Sequence, residues 1–226
     1  MGDDENILTA TDLHKSFGRG RARVHVLRGL LLAVRRGEFL AVMGPSGCGK
    51  STLLHLLGLM TAPDSGLIAL NGRGVGTSPS ALNALRRKHV GFVFQRFNLL
   101  GELSAADNVA ISLRVRGLRG DGHAAELFGT LGVSHVAGRK PSQMSIGEQQ
   151  RVAVVRALAH RPALLLADEP TGNLDSASSE ALLDHFRRIN RQDGQTIVMI
   201  THSAEAAGYA DRVVHMKDGK IVDEPG

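Results

Sequence analysis

The sequence predicts an α/β fold in which a sheet is interrupted by a mainly helical lobe. Three features of the chain support this. A short apolar run, EFLAVM (38–43), stops at glycines and gives way to a helical pattern, KSTLLHLLG (50–58). From Ser80 to Ala159 the apolar spacing is mostly helical, with Leu82 and Leu85 early and Val152, Val155 and Ala159 late. Strand patterns then return in ALLLA (163–167) and TIVMIT (196–201). A length of 226 residues suits one large domain or two small ones. No internal repeat, low-complexity tract or Ser/Pro-rich linker divides the chain, so one unit over 1–226 is expected.

At the N-terminal end, Ile7 to about Val34 mixes β-branched residues with Arg19, Arg21 and Arg23, which reads as strands around a basic turn. LIALNG (67–72) ends in Asn71-Gly72, the strongest short hairpin signal. Between the two returning strands, Leu182, Phe186 and Ile189 fall on one helix face at i, i+4 and i+7. RVVHM (212–216), Asp218-Gly219 and KIV read as a closing hairpin.

Hydrophobic residues make up 42% and charged residues 22%, an ordinary globular composition. Lys plus Arg is 27 against 22 for Asp plus Glu, a net charge of +5, with a pI near 9.9. That sign alone does not choose between nucleic acid, anionic membrane and nucleotide. The arginines lie in short scattered groups (Arg35-Arg36, Arg86-Arg87, Arg114-Arg116-Arg119, Arg187-Arg188) without interleaved aromatics. They read as solvated faces, and no nucleic-acid partner is expected. The single Cys48 excludes an internal disulfide, and no Cys/His spacing suggests structural zinc. The N-terminus, MGDDEN, is acidic where a secretory signal would be basic and then apolar. No apolar run approaches the roughly eighteen residues of a spanning helix. A soluble, intracellular chain is expected, unless a partner holds it to a membrane.

Gly44-Pro45-Ser46-Gly47-Cys48-Gly49-Lys50-Ser51 fits G-x-x-x-x-G-K-S/T, for which composition alone gives on the order of 0.01 chance matches. Its context, strand before and helix after, is what phosphate binding needs. Glycines let the backbone curl so that successive N–H groups face phosphate oxygens, and the helix start adds its positive dipole end. Lys50 then reaches the β- and γ-phosphates, and Ser51 offers its hydroxyl to Mg²⁺. Cys48, inside the loop, reads as a small filler.

ALLLADE (163–169) is an apolar strand ending in two acids, which places Asp168 at the carboxyl end where ligands collect in open α/β sheets. There Asp168 holds Mg²⁺ and Glu169 polarises the attacking water. His202 follows TIVMIT at another strand end and reads as a γ-phosphate sensor. Ser145-x-x-Glu148 is a capping box, and a capped helix N-terminus is also an anion site.

The phosphate loop, Gln95 in FVFQ, SIGEQQR (145–151), LLLADEP (164–170), Asn173-Leu174-Asp175 and Thr201-His202 together resemble an ABC-type ATPase, over essentially the whole chain. The resemblance implies a P-loop NTPase (RecA-like) core, an N-terminal antiparallel β subdomain and a helical signature subdomain over approximately 96–158. It implies ATP hydrolysis with Mg²⁺. On it, nucleotide contacts extend through Thr52, and Gln95 contacts the metal and senses a transmembrane partner. Phe17 takes the place where an aromatic stacks on adenine, and Asp175 belongs to the D-loop. Ser145, Gly147 and Glu148 close on the γ-phosphate held by a second copy, in a head-to-tail homodimer.

FQRFNLLGELSAADNV and DEPTGNLDSAS are similar to the LolD- and MacB-like branch of lipoprotein release and macrolide export. That implies a separate FtsX-like permease, export of lipoprotein, lipid or macrolide/peptide, and a place on the cytoplasmic face of the cell membrane. Phe97 to Leu100 is expected to border the groove for the permease's coupling helix. A regulatory ATPase of the FtsE type, driving a membrane partner without moving cargo, is the alternative. Met144 and Ile146 depart from the family's usual LSGG. Ile146 is the more serious, since a β-branched residue resists positive φ and fills space near the partner's nucleotide.

Overall fold

A computed structural model describes residues 5–222. Residues 1–4, which entered the targeting argument, lie outside the described residues, as do 223–226 and the side chain of Arg21. Strands β1 (Asn6–Phe17) and β2 (Val24–Arg35) pair antiparallel across a short 3-10 turn at Gly20–Ala22. Next come β3 (Phe39–Met43) and helix α1 (Lys50–Leu57). Strand β4 (Ser65–Leu70) adds to the free edge of β1, and β5 (Arg73–Gly74) folds back on it. The turn between them has positive φ at both Asn71 (53°) and Gly72 (70°), as the Asn-Gly pair predicts. These strands form one antiparallel sheet in the order β2-β1-β4-β5.

The second sheet runs β10-β9-β3-β8-β7-β6. It comprises β3, β6 (Val90–Val93), β7 (Leu164–Asp168), β8 (Thr196–Ile200), β9 (Arg212–Lys217) and β10 (Lys220–Val222). All neighbours are parallel except the closing β9–β10 hairpin. Strand β6 corrects the expectation of a mostly helical stretch from Ser80. It is four residues, VGFV, entered directly from α2 (Pro79–His89), too short to carry a period of its own. Its pairing with β7 makes it a strand. The helical lobe follows as α3 (Ala105–Val115), α4 (His123–Thr130) and α5 (Ile146–Leu158); α6 (Ser176–Asp193) and the single turn α7 (Ala204–Ala207) return to the sheet.

The parallel strands read as unbroken apolar runs because both faces are covered. Leu40, Val42, Leu164, Leu166, Val198 and Ile200 face one way, into a core shared with α1 and the antiparallel sheet. Phe39, Ala41, Leu165, Ala167, Ile197 and Met199 face the other way, into a core shared with α5, α6 and the helical lobe. Leu182, Phe186 and Ile189 supply the apolar stripe of α6 to this second core. Among the described residues no helix is long and apolar enough to cross a membrane.

Gly91 in β6 lets α5 lie close to the sheet, because a Cβ there would sit 2.4 Å from the Ala157 carbonyl oxygen. Gly91→Ala is therefore expected to lower the unfolding free energy by about 1–3 kcal/mol. The readout is a lower denaturation midpoint at unchanged slope; an unchanged midpoint would show that α5 moves off β6 at no cost.

Candidate functional site

The ladder of the parallel sheet sets the site. Val42 of β3 pairs with Ile200 of β8, and Ile200 pairs with Asp168 of β7. The loops that leave these strands therefore emerge side by side at one carboxyl edge. Two further bonds tie them: Thr201 N–H donates to Val42 O (3.2 Å) and Glu169 N–H to Ile200 O (2.9 Å).

The loop after β3 wraps into α1 through three positive-φ glycines: Gly44 (158°), Gly47 (79°) and Gly49 (107°). Gly44 is required by space, since a Cβ would lie 2.2 Å from Met216 O and 2.9 Å from Cys48 Sγ. The loop is also tied to the closing hairpin, with Gly219 N–H donating to Cys48 O at 3.1 Å. Lys50 opens α1 and is only 8% exposed. Its Nζ donates to Gly44 O (2.7 Å) and Pro45 O (2.9 Å) and lies 4.0 Å from Cys48 Sγ. Cys48 itself is buried in the core shared with the antiparallel sheet. A cleft of about 600 Å³ opens over this loop, lined by Ser46, Gly47, Gly49, Lys50, Ser51 and Thr52 together with Glu169, His202 and Val26.

Asp168 ends β7 and is half-buried. Burial raises its pKa, and the neighbouring Glu169 charge raises it further, against weaker pulls from His55 and Lys50. Glu169 sits at φ +43°, left-handed and uncommon for a non-glycine residue. That turn carries its side chain off the strand and into the cleft, where Oε1 lies 3.1 Å from His202 Nδ1. Gln95, two residues beyond β6, does not line the cleft but lies beside the turn after Glu169. A Cβ on Gly172 would be 2.7 Å from Gln95 Nε2, and Asn173 Nδ2 donates to Gln95 O at 2.8 Å.

The remaining candidates stand apart from this cleft. Ser145 caps α5: its Oγ accepts from Glu148 N–H (3.2 Å), and its own N–H donates to Glu148 Oε2 (2.7 Å). That backbone bond, with His135 at 2.7 Å, holds the Glu148 carboxyl below its usual pKa range. Gly147 is buried against α6, where a Cβ would lie 3.0 Å from Ser178 Oγ. Asp175 caps α6 by accepting from Ser178 N–H (2.7 Å), which lowers its pKa. Ile146 begins α5 in ordinary helical backbone, not at positive φ, so the strain expected of a β-branched residue does not arise. Its side chain is 52% exposed beside Ser145. Phe17 is 49% exposed, with Lys15 Nζ 5.8 Å from its ring centroid, and does not line the cleft.

Residues 27–172 match the sequence model of the ABC transporter family. The chain belongs to that family. Within it the phosphate-loop cassette is the ATP-hydrolysing part, and this chain carries that cassette. It is 43% identical, over 96% of its length, to the lipoprotein-releasing system ATP-binding protein LolD of Geobacter metallireducens, covering 98% of that protein. It is 47% identical, over 99% of its length, to the macrolide export ATP-binding/permease protein MacB of Chlorobium luteolum, but spans only 34% of that protein. In structure it is similar to the cassette MJ0796 in a dimeric post-hydrolysis state bound to ADP and Pi. The TM-score is 0.87 at 34% identity, covering 96% of this chain and 97% of that one.

The ABC cassette has two site features that its sequence did not reveal. Val26 reaches the cleft from β2, and nothing in its strand pattern marks it. Gln150 is fully buried, and its Nε2 joins α5 to the acidic turn by donating to Pro170 O at 2.6 Å. Its place in the QQR run was the one available signal.

Because burial and Glu169 raise the Asp168 pKa above 3.8, ionising Asp168 costs the folded state. The cost is absent below the unfolded-state pKa of 3.8 and grows as pH rises through the folded value. Asp168→Asn is thus expected to raise the nucleotide-free Tm at neutral pH, with the gain vanishing below about pH 4. A variant no more stable than wild type at neutral pH would contradict this.

Proposed function

We propose that this chain hydrolyses ATP in a head-to-tail dimer and uses the cycle to drive a membrane permease of the lipoprotein-release and macrolide-export kind. The observation that carries the reading is a split site. The phosphate loop, Glu169 and His202 share one cleft, while the capped N-terminus of α5 in the same chain contributes no residue to its lining and leaves Ser145 and Ile146 exposed. A second copy closes the cleft by presenting its own Ser145, Gly147 and Glu148, with Asp175 alongside. We take 1–226 as one cassette with the lobe at 96–158 as its signature-bearing arm. Its place is the cytoplasmic face of the membrane, through the permease.

In this reading ATP enters over Gly44 to Gly49, and Lys50 exchanges its bonds to the Gly44 and Pro45 carbonyls for phosphate oxygens. The N–H groups opening α1 add a preorganised positive potential, and Thr52 borders the same phosphates. Phe17, at the end of β1, offers an aromatic face to the base. The donor set around the acids is of hard oxygens, the Ser51 hydroxyl, the Asp168 carboxylate and the Gln95 amide oxygen, which fits Mg²⁺. Ser51, Asp168 and Gln95 would hold the ion together with the bound nucleotide. When bound, Mg²⁺ neutralises charge building on the phosphates.

Glu169 accepts a proton from the attacking water as its oxygen bonds to the γ-phosphorus. The bond to the β-phosphate oxygen breaks, giving ADP and phosphate. His202, 3.1 Å from Glu169, orients that carboxylate and contacts the γ-phosphate. The permease contact falls on Phe97 to Leu100. Buried Asn108 fixes that segment by accepting from Leu100 N–H (2.7 Å) and donating to Leu100 O (3.1 Å), while the Leu100 side chain stays exposed.

Lys50→Ala is expected to lower ATP hydrolysis at least about a hundredfold; turnover near wild type would sink the assignment of the loop. Glu169→Gln is expected to lose about a hundredfold or more in turnover yet still bind ATP. It should accumulate as a dimer under saturating Mg-ATP, read by size-exclusion chromatography with light scattering. A variant that stays monomeric there would remove the split-site reading.

A further inference from the structure

The C-terminal ends of α2, α3 and α5 meet around a cavity of about 670 Å³ that shares no lining residue with the phosphate-loop cleft. Arg87, Lys88 and His89 enter it from the end of α2, Arg116 from the C-cap of α3, and His160 and Arg161 from just past α5. No carboxylate of the described residues lines it. Arginines that are scattered along the chain thus converge in space, with Arg87 and Arg161 solvent-exposed and Arg116 partly buried.

Helix ends account for part of the charge. Each C-terminus carries about half a negative elementary charge, and the side chains answer it. Arg87 donates to Val115 O, and Arg116 Nη1 donates to Ser112 O (3.1 Å) and Ser112 Oγ (2.9 Å). His160 Nε2 lies 3.2 Å from Val90 O. The charge still exceeds the demand. Arg87, Lys88, Arg116 and Arg161 are cationic, and among the described residues the one carboxylate ion-paired with them is Asp121, on Arg161. Among the described residues, Arg116 Nε and His160 Nδ1 are buried with no hydrogen-bond partner, where buried polar atoms are nearly always satisfied. Burial, then the charges of Arg87 and Arg86, push the Arg116 pKa down. Burial and the Arg116 charge push His160 down to about 4.

We propose that this cavity is a second anion site, which takes a phosphate-class oxyanion carried either by a small soluble phosphate or by an anionic lipid headgroup. The oxyanion supplies the negative charge that the cluster lacks, and guanidinium forks suit its geometry. Arg87 and Lys88 lead directly into β6, whereas Arg116 closes a helix of the lobe. A bound anion therefore cross-links lobe and sheet at a point remote from the nucleotide.

The test uses the full chain with its phosphate loop saturated by Mg-ADP. Inorganic phosphate is titrated by calorimetry, and vesicles of phosphatidylcholine with or without phosphatidylglycerol are scored by co-sedimentation, both at physiological salt. At least one probe is expected to bind. Binding should weaken at least about tenfold in Lys88→Glu and further in Arg116→Gln, with ATP hydrolysis unchanged in Lys88→Glu. Phosphate binding alone identifies a soluble ligand, and phosphatidylglycerol-dependent sedimentation identifies a headgroup. Failure of both probes, or binding that Lys88→Glu leaves unchanged, would overturn the proposal. Lys88 is exposed, so that variant keeps the test decisive even where Arg116→Gln does not fold.

Discussion

Everything chemical in this protein depends on the register of three parallel strands. With Val42, Ile200 and Asp168 in one row of the ladder, the segments beginning at Gly44, Thr201 and Glu169 leave the sheet at the same height. A slip of one residue in β7 would turn Asp168 to the opposite face and draw an apolar side chain out of a core. Both faces of these strands are buried, so the packing of Leu164 and Leu166 against one core and Leu165 and Ala167 against the other enforces that register. The hydrophobic core is thus the device that aims the acids.

The loop geometry adds a second constraint, which works through absence of side chains. Gly44 approaches the Met216 carbonyl too closely for any Cβ, and Gly49 approaches the Met216 and Val26 side chains. The phosphate loop is consequently pressed between β2 and the closing hairpin and is shaped before any ligand arrives. Lys50 is held inside it by carbonyls that mimic, with reversed timing, the oxygens of a phosphate chain. Glu169 carries the complementary cost, a left-handed backbone at a non-glycine residue. Strain of this kind persists where neighbours over-determine it, here through the bond from its N–H to Ile200 O.

What was legible in the sequence was whatever local chemistry encodes. The Asn71-Gly72 hairpin, the Ser145–Glu148 capping box and the strand–glycine–helix passage at 38–58 all form as their residue types require. What was not legible depends on partners far along the chain. Strand β6 exists only because β7 is there to pair with it, and Val26 reaches the cleft only because two sheets pack. Ile146 shows the reverse case, where a rule about positive φ was applied to a residue that the fold places in a helix. The gathering of Arg87, Arg116 and Arg161 belongs to the same class, since each sits at the C-terminal end of a different helix and no spacing links them.

On the proposed reading, the separation of Ser145 from the phosphate loop is what makes the cassette a motor rather than a hydrolase alone. A site complete within one chain would hydrolyse ATP without requiring anything to move. Here the free chain leaves Ile146 and the capped end of α5 in solvent, and a ligand that binds only the assembled pair favours assembly by mass action. Turnover removes that ligand and with it the reason to stay closed. The opening and closing reach Phe97 to Leu100 through a direct linkage, because Arg156 near the end of α5 donates to Phe97 O (2.8 Å). The helix that would meet the partner's nucleotide is therefore the same helix that holds the segment proposed to meet the permease.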